Sequence, residues 1–120
     1  MHRLNIHSIQ NKGDLADECV WLDVTEDISN LSYYVFCDAT YTDEDHTSVE
    51  LRQTYWFPKK RVSSCDWIRL MTKAETNAKL SNDRHTTTHT LFWGLGRTIR
   101  NNDGDCAVLL KLQTWKTRRA

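Results

Sequence analysis

The chain has 120 residues, 39% of them apolar, including five Trp, four Tyr and three Phe, and its formal net charge is zero. That length suits one domain around one core, and no apolar run approaches the ~18 residues of a membrane-spanning helix. The opening MHRLNIHSIQNKG has no apolar stretch of the kind a secretory signal needs, so the expectation is a soluble, intracellular protein that contacts no membrane. The charge is unevenly laid out: residues 1–50 carry 11 acidic and 2 basic side chains, residues 51–120 carry 14 basic and 5 acidic. Either the fold mixes the two halves and the field averages out, or the second half builds a basic surface.

Read in chain order, the sequence alternates at a period of two, the signature of half-buried strands. RLNIHSI sets Leu4, Ile6 and Ser8 against polar neighbours. Residues 11–18 are short and contain Gly13, which disfavours a helix. In ECVWLDV, Val20, Leu22 and Val24 oppose Cys19, Trp21 and Asp23. LSYYVFCDATY predicts a longer strand with Tyr34 and Phe36 on one side and Tyr33, Val35 and Cys37 on the other. SVELRQTYWF reads as a strand stopped by Pro58, because proline cannot donate to a ladder. DWIRLMT is the next strand. TKAETNAKLSNDR (72–84) has good helix formers but no apolar stripe, and is expected to be a surface loop with at most one helical turn. THTLFWG, the short TIR and CAVLLKLQTW bring the total to roughly eight strands. Short strands without a βαβ rhythm predict an all-β sandwich or barrel.

FWGLGRTIRNND (92–103) invites a nucleotide-binding reading and does not support it. A phosphate loop needs G-x-x-x-x-G-K-[ST] leading into a helix, whose N–H groups face the anion. Here the glycines are two apart, no Lys-Ser/Thr follows, and strand-like sequence comes next. NNDGD matches turn chemistry instead, since Gly accepts positive φ freely and Asn and Asp accept it readily. The expectation is a hairpin about residues 101–105.

These segments, in this order, resemble the lamin tail domain, an immunoglobulin-like module. The elements that carry the resemblance are Glu18-Cys19-Val20-Trp21-Leu22, Leu31-Ser32-Tyr33-Tyr34, Phe57-Pro58, Asp66-Trp67-Ile68, Phe92-Trp93-Gly94 and Asn101-Asn102-Asp103-Gly104-Asp105. They span roughly residues 15–112. The resemblance implies an immunoglobulin-like β-sandwich in which a Phe-Pro pair begins a strand. Residues 1–14 would form a first strand and lead-in, and 113–120 a basic tail, all within one domain over 1–120. Leu-Ser-Tyr-Tyr stands where the family has Leu-Ser-Gly-Trp, and Ser63-Ser64-Cys65 where it often has a Pro-Gly turn. The expectation is a domain that stands alone, without the rod, lipidation motif or second domain of the lamins.

Constellations for catalysis are thin. Cys19, Cys37, Cys65 and Cys106 show no C-x-x-C spacing, so they read as free thiols behaving as small hydrophobes. His85 and His89 lie four apart, on one face if extended, and a zinc ion would need Asp83 or His46 as well. Polar loops place the same residues in solvent without any metal. A Cys–His nucleophile has no local signature. The reading is therefore a non-enzymatic interaction module with no cofactor and no bound metal; the alternatives are a small metal-dependent or thiol enzyme, and a structural subunit that assembles through its sheet edges. Aromatic and basic side chains are the candidate contacts. Trp56, Trp93 and Tyr34 would anchor a protein partner. Lys59, Lys60, Arg61, Arg97, Arg100, Arg118 and Arg119, with Lys116 beside them, would contact nucleic acid. The TWKTRRA ending, aromatic and basic together, is either a phosphate-contacting tail or a solvated terminus.

Overall fold

A computed structural model describes residues 3–40, 53–81, 86–96 and 105–119. Among these residues there are eight strands and no α-helix: β1 Leu4–Gln10, β2 Cys19–Val24, β3 Tyr34–Thr40, β4 Gln53–Trp56, β5 Trp67–Met71, β6 Ala78–Ser81, β7 Thr87–Phe92 and β8 Asp105–Lys111. A single 3-10 turn, Leu31–Tyr33, leads into β3 and is capped by Asn30, whose Oδ1 accepts from the Ser32 N–H at 3.0 Å.

The strands form two sheets, one of five strands in the order β1-β2-β5-β7-β6 and one of three in the order β4-β3-β8. Alternation explains both. In β2, Val20, Leu22 and Val24 are buried while Trp21 and Asp23 are half-exposed; in β5, Ile68 and Leu70 point inward and Trp67 and Arg69 outward. From the smaller sheet Tyr34 and Phe36 enter the same core, where they meet Leu4, Leu91 and the loop residues Ile28, Leu31, Phe57 and Val62. The inward faces of both sheets thus share one core, as an all-β sandwich requires. Loops close the ends: Ile28 and Val62 form an isolated antiparallel bridge, and Glu18, buried at 1% exposure, accepts from Thr72 Oγ1 at 2.6 Å.

Three features differ from the sequence reading. Residues 72–84 were expected to lack a strand, yet Ala78–Ser81 pairs antiparallel with β7. Helix formers without an apolar stripe cannot bury a helix, and the β-branched Thr87, Thr88 and Thr90 of β7 offer a ladder instead. Phe57-Pro58 closes β4, as the position of Pro58 suggests, whereas the lamin-tail resemblance has the pair beginning a strand. β5 and β7 run parallel, while the sheets of immunoglobulin domains are antiparallel. The expected TIR strand, most of the 101–105 turn, and Val49 and Leu51 lie outside the described residues.

Candidate functional site

The outer face of the small sheet is built by the residues that alternate away from the core. Val35 on β3 pairs with Trp56 on β4 and Leu110 on β8; Cys37 pairs with Thr54 and Val108. Apart from the exposed Thr54, the residues of this face are apolar or weakly polar, and Cys37 is fully buried among them. The chain beyond β8 helps to cover it. The Leu112 N–H donates to the Tyr33 carbonyl at 2.7 Å, which carries residues 113–119 past the end of the sheet.

Trp115 then enters between two aromatic rings. Its centroid lies 4.9 Å from that of Tyr33 and 5.4 Å from that of Trp56, both edge-to-face. Such contacts are worth about 0.5–1.5 kcal/mol each beyond area burial, so the three rings hold one another in place. Trp56 is fixed further by its Nε1–H, which donates to the Ser32 carbonyl at 2.7 Å. Even so, Trp56 is 47% and Tyr33 40% exposed, and they are the two exposed large apolar side chains of the described residues. Two rings kept in water although held by several contacts are the clearest surface anomaly among the described residues.

Charge distinguishes this corner. Segments 28–37, 53–62 and 107–119, which contribute the three rings and the strands beneath them, contain no Asp or Glu. They contain Lys59, Lys60, Arg61, Lys111, Lys116, Arg118 and Arg119. Lys60 sits at the turn that ends in Tyr33, since its carbonyl accepts from the Leu31 N–H at 2.8 Å. Lys116 adjoins Trp115, and Lys59, Lys116, Arg118 and Arg119 are all exposed. Within these segments the basic half of the sequence therefore meets a carboxylate-free stretch of the acidic half.

The anchors named from sequence scatter. Trp56 belongs to this face. Tyr34 does not: it is 2% exposed in the core, and its hydroxyl accepts from the Arg3 N–H at 3.2 Å. The alternation of β3 turns Tyr34 inward and leaves Tyr33, one residue earlier, as the exposed ring. Trp93 lies elsewhere and is half-buried, packed edge-on against Phe36 and Tyr55 at 5.6 and 5.9 Å, with Nε1–H donating to the Thr54 carbonyl. It fastens β4 to the end of β7. Arg97 and Arg100 lie outside the described residues. The pairing of Trp115 with Tyr33 could not be read from sequence, because it depends on the Leu112–Tyr33 hydrogen bond; the TWK tripeptide was the available signal.

Two other clusters have structural roles. On the outer face of the large sheet the Arg69 guanidinium lies 5.6 Å from the centroid of Trp21, which meets Trp67 edge-to-face, and Trp67 in turn meets His7. These rings lie against one another; Trp21 and Trp67 are half-buried and His7 is exposed. Beneath the same sheet, His89 Nε2 lies 3.0 Å from Asp66 Oδ2, and both residues are buried. Burial alone would raise the Asp66 pKa, but the Ser63 N–H, the His89 side chain and the Thr87 N–H outweigh it and hold the carboxyl below its ordinary value. An ionised carboxylate only accepts, so His89 Nε2 carries the hydrogen, and the buried Nδ1 has no hydrogen-bond partner among the described residues. His89 is thus committed to Asp66; His85, Asp83 and His46 lie outside the described residues. Burial pushes the thiols of Cys19 and Cys37 up, away from the thiolate a nucleophile needs. No helix is long and apolar enough to cross a membrane among the described residues.

No family model, curated protein or solved structure matches this chain.

Proposed function

We propose that the chain is a non-enzymatic interaction module, an immunoglobulin-like sandwich resembling a lamin tail domain, and that it engages a macromolecular partner through the outer face of its small sheet. The observation that carries this reading is the Tyr33–Trp115–Trp56 cluster, rigidly held yet exposed, within segments that hold seven cations and no carboxylate. Rings fixed before binding lose little entropy on contact, which is why Trp, Tyr and Arg dominate hot spots. The immunoglobulin-like part is supported by the two-sheet frame and by the positions of the quoted elements: Glu18–Leu22 enters β2, Leu31–Ser32 precedes β3 and Asp66–Trp67 opens β5. The parallel β5–β7 pair is its main departure. Free thiols at Cys19, Cys37 and Cys65 support an intracellular location.

The test is capture from native lysate by the tagged chain and by a Tyr33→Ala/Trp56→Ala variant, with circular dichroism and the urea midpoint checked for both. Loss of a partner from the variant, with the fold intact, is the expected outcome. Identical capture by both chains refutes the face as the site.

A further inference from the structure

We infer that the ligand of this face is a single-stranded nucleic acid, bound with bases stacked on Trp56 and Tyr33 and phosphates against Lys59, Lys116, Arg118 and Arg119. The inference rests on the reading of the outer face as the binding site and names the chemistry that fits it.

Three observations converge. Trp56 stands at the end of β4 and Tyr33 in the turn that enters β3, at one end of the small sheet, and a sheet bearing exposed aromatics can stack bases that are free of pairing. A duplex keeps its base faces stacked inside and cannot use them. The indole N–H of Trp56 is already taken by the Ser32 carbonyl, so what Trp56 offers a ligand is ring surface rather than a donor, and stacking accepts any base. The charge of the segments that carry the rings is of one sign: Lys116, Arg118 and Arg119 follow Trp115 within four residues, Lys59 and Lys60 follow Trp56 within four, and no carboxylate interrupts either run. An anionic backbone carrying planar groups at each repeat is complementary to both features at once. An acidic peptide would satisfy the charges, but it brings a planar group only where its sequence happens to place one.

The ending of the chain adds a geometric argument. Leu112 is tied to Tyr33 and Trp115 is wedged between Tyr33 and Trp56, so the start of the basic tail is fixed beside the rings. Lys116, the next residue, is exposed there. Phosphates flanking a base stacked on Trp56 lie within reach of that tail.

The experiment is fluorescence anisotropy with purified full-length chain and labelled oligo(dT) and oligo(U) of roughly 12 nucleotides, within the site size of small single-strand binders. A duplex of the same length and a Glu-rich peptide of equal charge serve as competitors. Binding of the single strands in preference to the duplex is expected. Trp56→Ala should weaken it about tenfold, the loss of one stacked base. Lys116→Gln/Arg118→Gln/Arg119→Gln, all at exposed positions and harmless to the fold, should flatten the slope of log K against log salt by about 2, since each phosphate contact contributes about 0.7. Equal binding of single strands and duplex, or affinity indifferent to Trp56→Ala, overturns the stacking assignment. If the peptide binds in a Trp56-dependent manner and the oligonucleotides do not, nucleic acid is the wrong ligand and the face stands. If neither binds, the proposed site falls with it.

Discussion

Removing the Asp66 carboxylate should be among the most damaging single changes to this fold. One oxygen accepts from the Thr87 N–H at 3.0 Å; the other accepts from the Ser63 N–H and from His89, each at 3.0 Å. Asp66 thus joins the turn before β5, the start of β7 and a buried imidazole. In Asp66→Ala all three donors lose their acceptor. A buried donor left unpaired costs about 1–3 kcal/mol. His89 bears the full penalty at 5% exposure, whereas Ser63 is exposed and water can replace part of what it loses. The sum is about 3–5 kcal/mol, against a typical domain stability of about 5–15 kcal/mol. Asp66→Asn retains one acceptor oxygen and should cost about half as much. The carboxyl also confers a pH dependence of known sign. Its folded pKa is depressed, so the unfolded chain binds the proton more readily. The stabilisation is complete above the ordinary carboxyl pKa of about 4 and is lost as pH falls through the lower folded value. Urea titrations of wild type and Asp66→Asn at neutral pH and at steps below about pH 4 test both points. A loss under about 1 kcal/mol for Asp66→Ala, or acid destabilisation unchanged in Asp66→Asn, refutes the assignment.

Other expectations follow from burial. Phe36, fully buried and edge-on to Trp93, should cost about 3–5 kcal/mol when truncated to Ala, because the two sheets cannot collapse onto the space; a shift in urea midpoint without a change in slope is the readout. Among Cys19, Cys37 and Cys65, only Cys65 is exposed, so a thiol reagent followed by peptide mapping should label Cys65 in the native chain and the other two only after unfolding. Cys65 also has φ 73°, a conformation that costs a side-chain-bearing residue about 1 kcal/mol, and Cys65→Gly should recover part of that in thermal melts.

Much of the fold was legible because the two inward faces are written in alternation. The Val20-Leu22-Val24 triplet and the Ile68-Leu70 pair can bury themselves only as strands, and Pro58 marks the end of β4. What was not legible depends on pairing between distant residues. Ala78–Ser81 has no strand character of its own and becomes a strand because β7 lies beside it. Alternation puts Tyr34 and Phe36 on one side of their strand but does not say which side faces the core, so a surface role for Tyr34 is compatible with the sequence and not with the fold.

The charge asymmetry of the sequence shows how such information can survive folding. A compact chain normally mixes its halves, and here the acidic half does supply β1, β2 and β3. The carboxylates of that half lie within residues 14–27 and 38–50, while 28–37 has none. That gap is the segment that turns through Tyr33 into β3, flanked on either side by β4 and β8 from the basic half. At the remote end of β3, Asp38 is buried on the core side and adds nothing to the outer face. The carboxylate-free gap thus meets basic segments where, among the described residues, the chain keeps two aromatic rings in water. Placing a carboxylate into the gap should show whether the coincidence matters. Val35, half-buried on the outer face between Trp56 and Leu110, is too deep for this, but Ser29 and Thr114 are exposed. Ser29→Glu/Thr114→Glu should leave stability within about 0.5 kcal/mol of wild type and yet weaken any polyanion held by the face, with the deficit growing as salt is lowered. Unchanged affinity at low salt would mean that the missing carboxylates are an accident of composition.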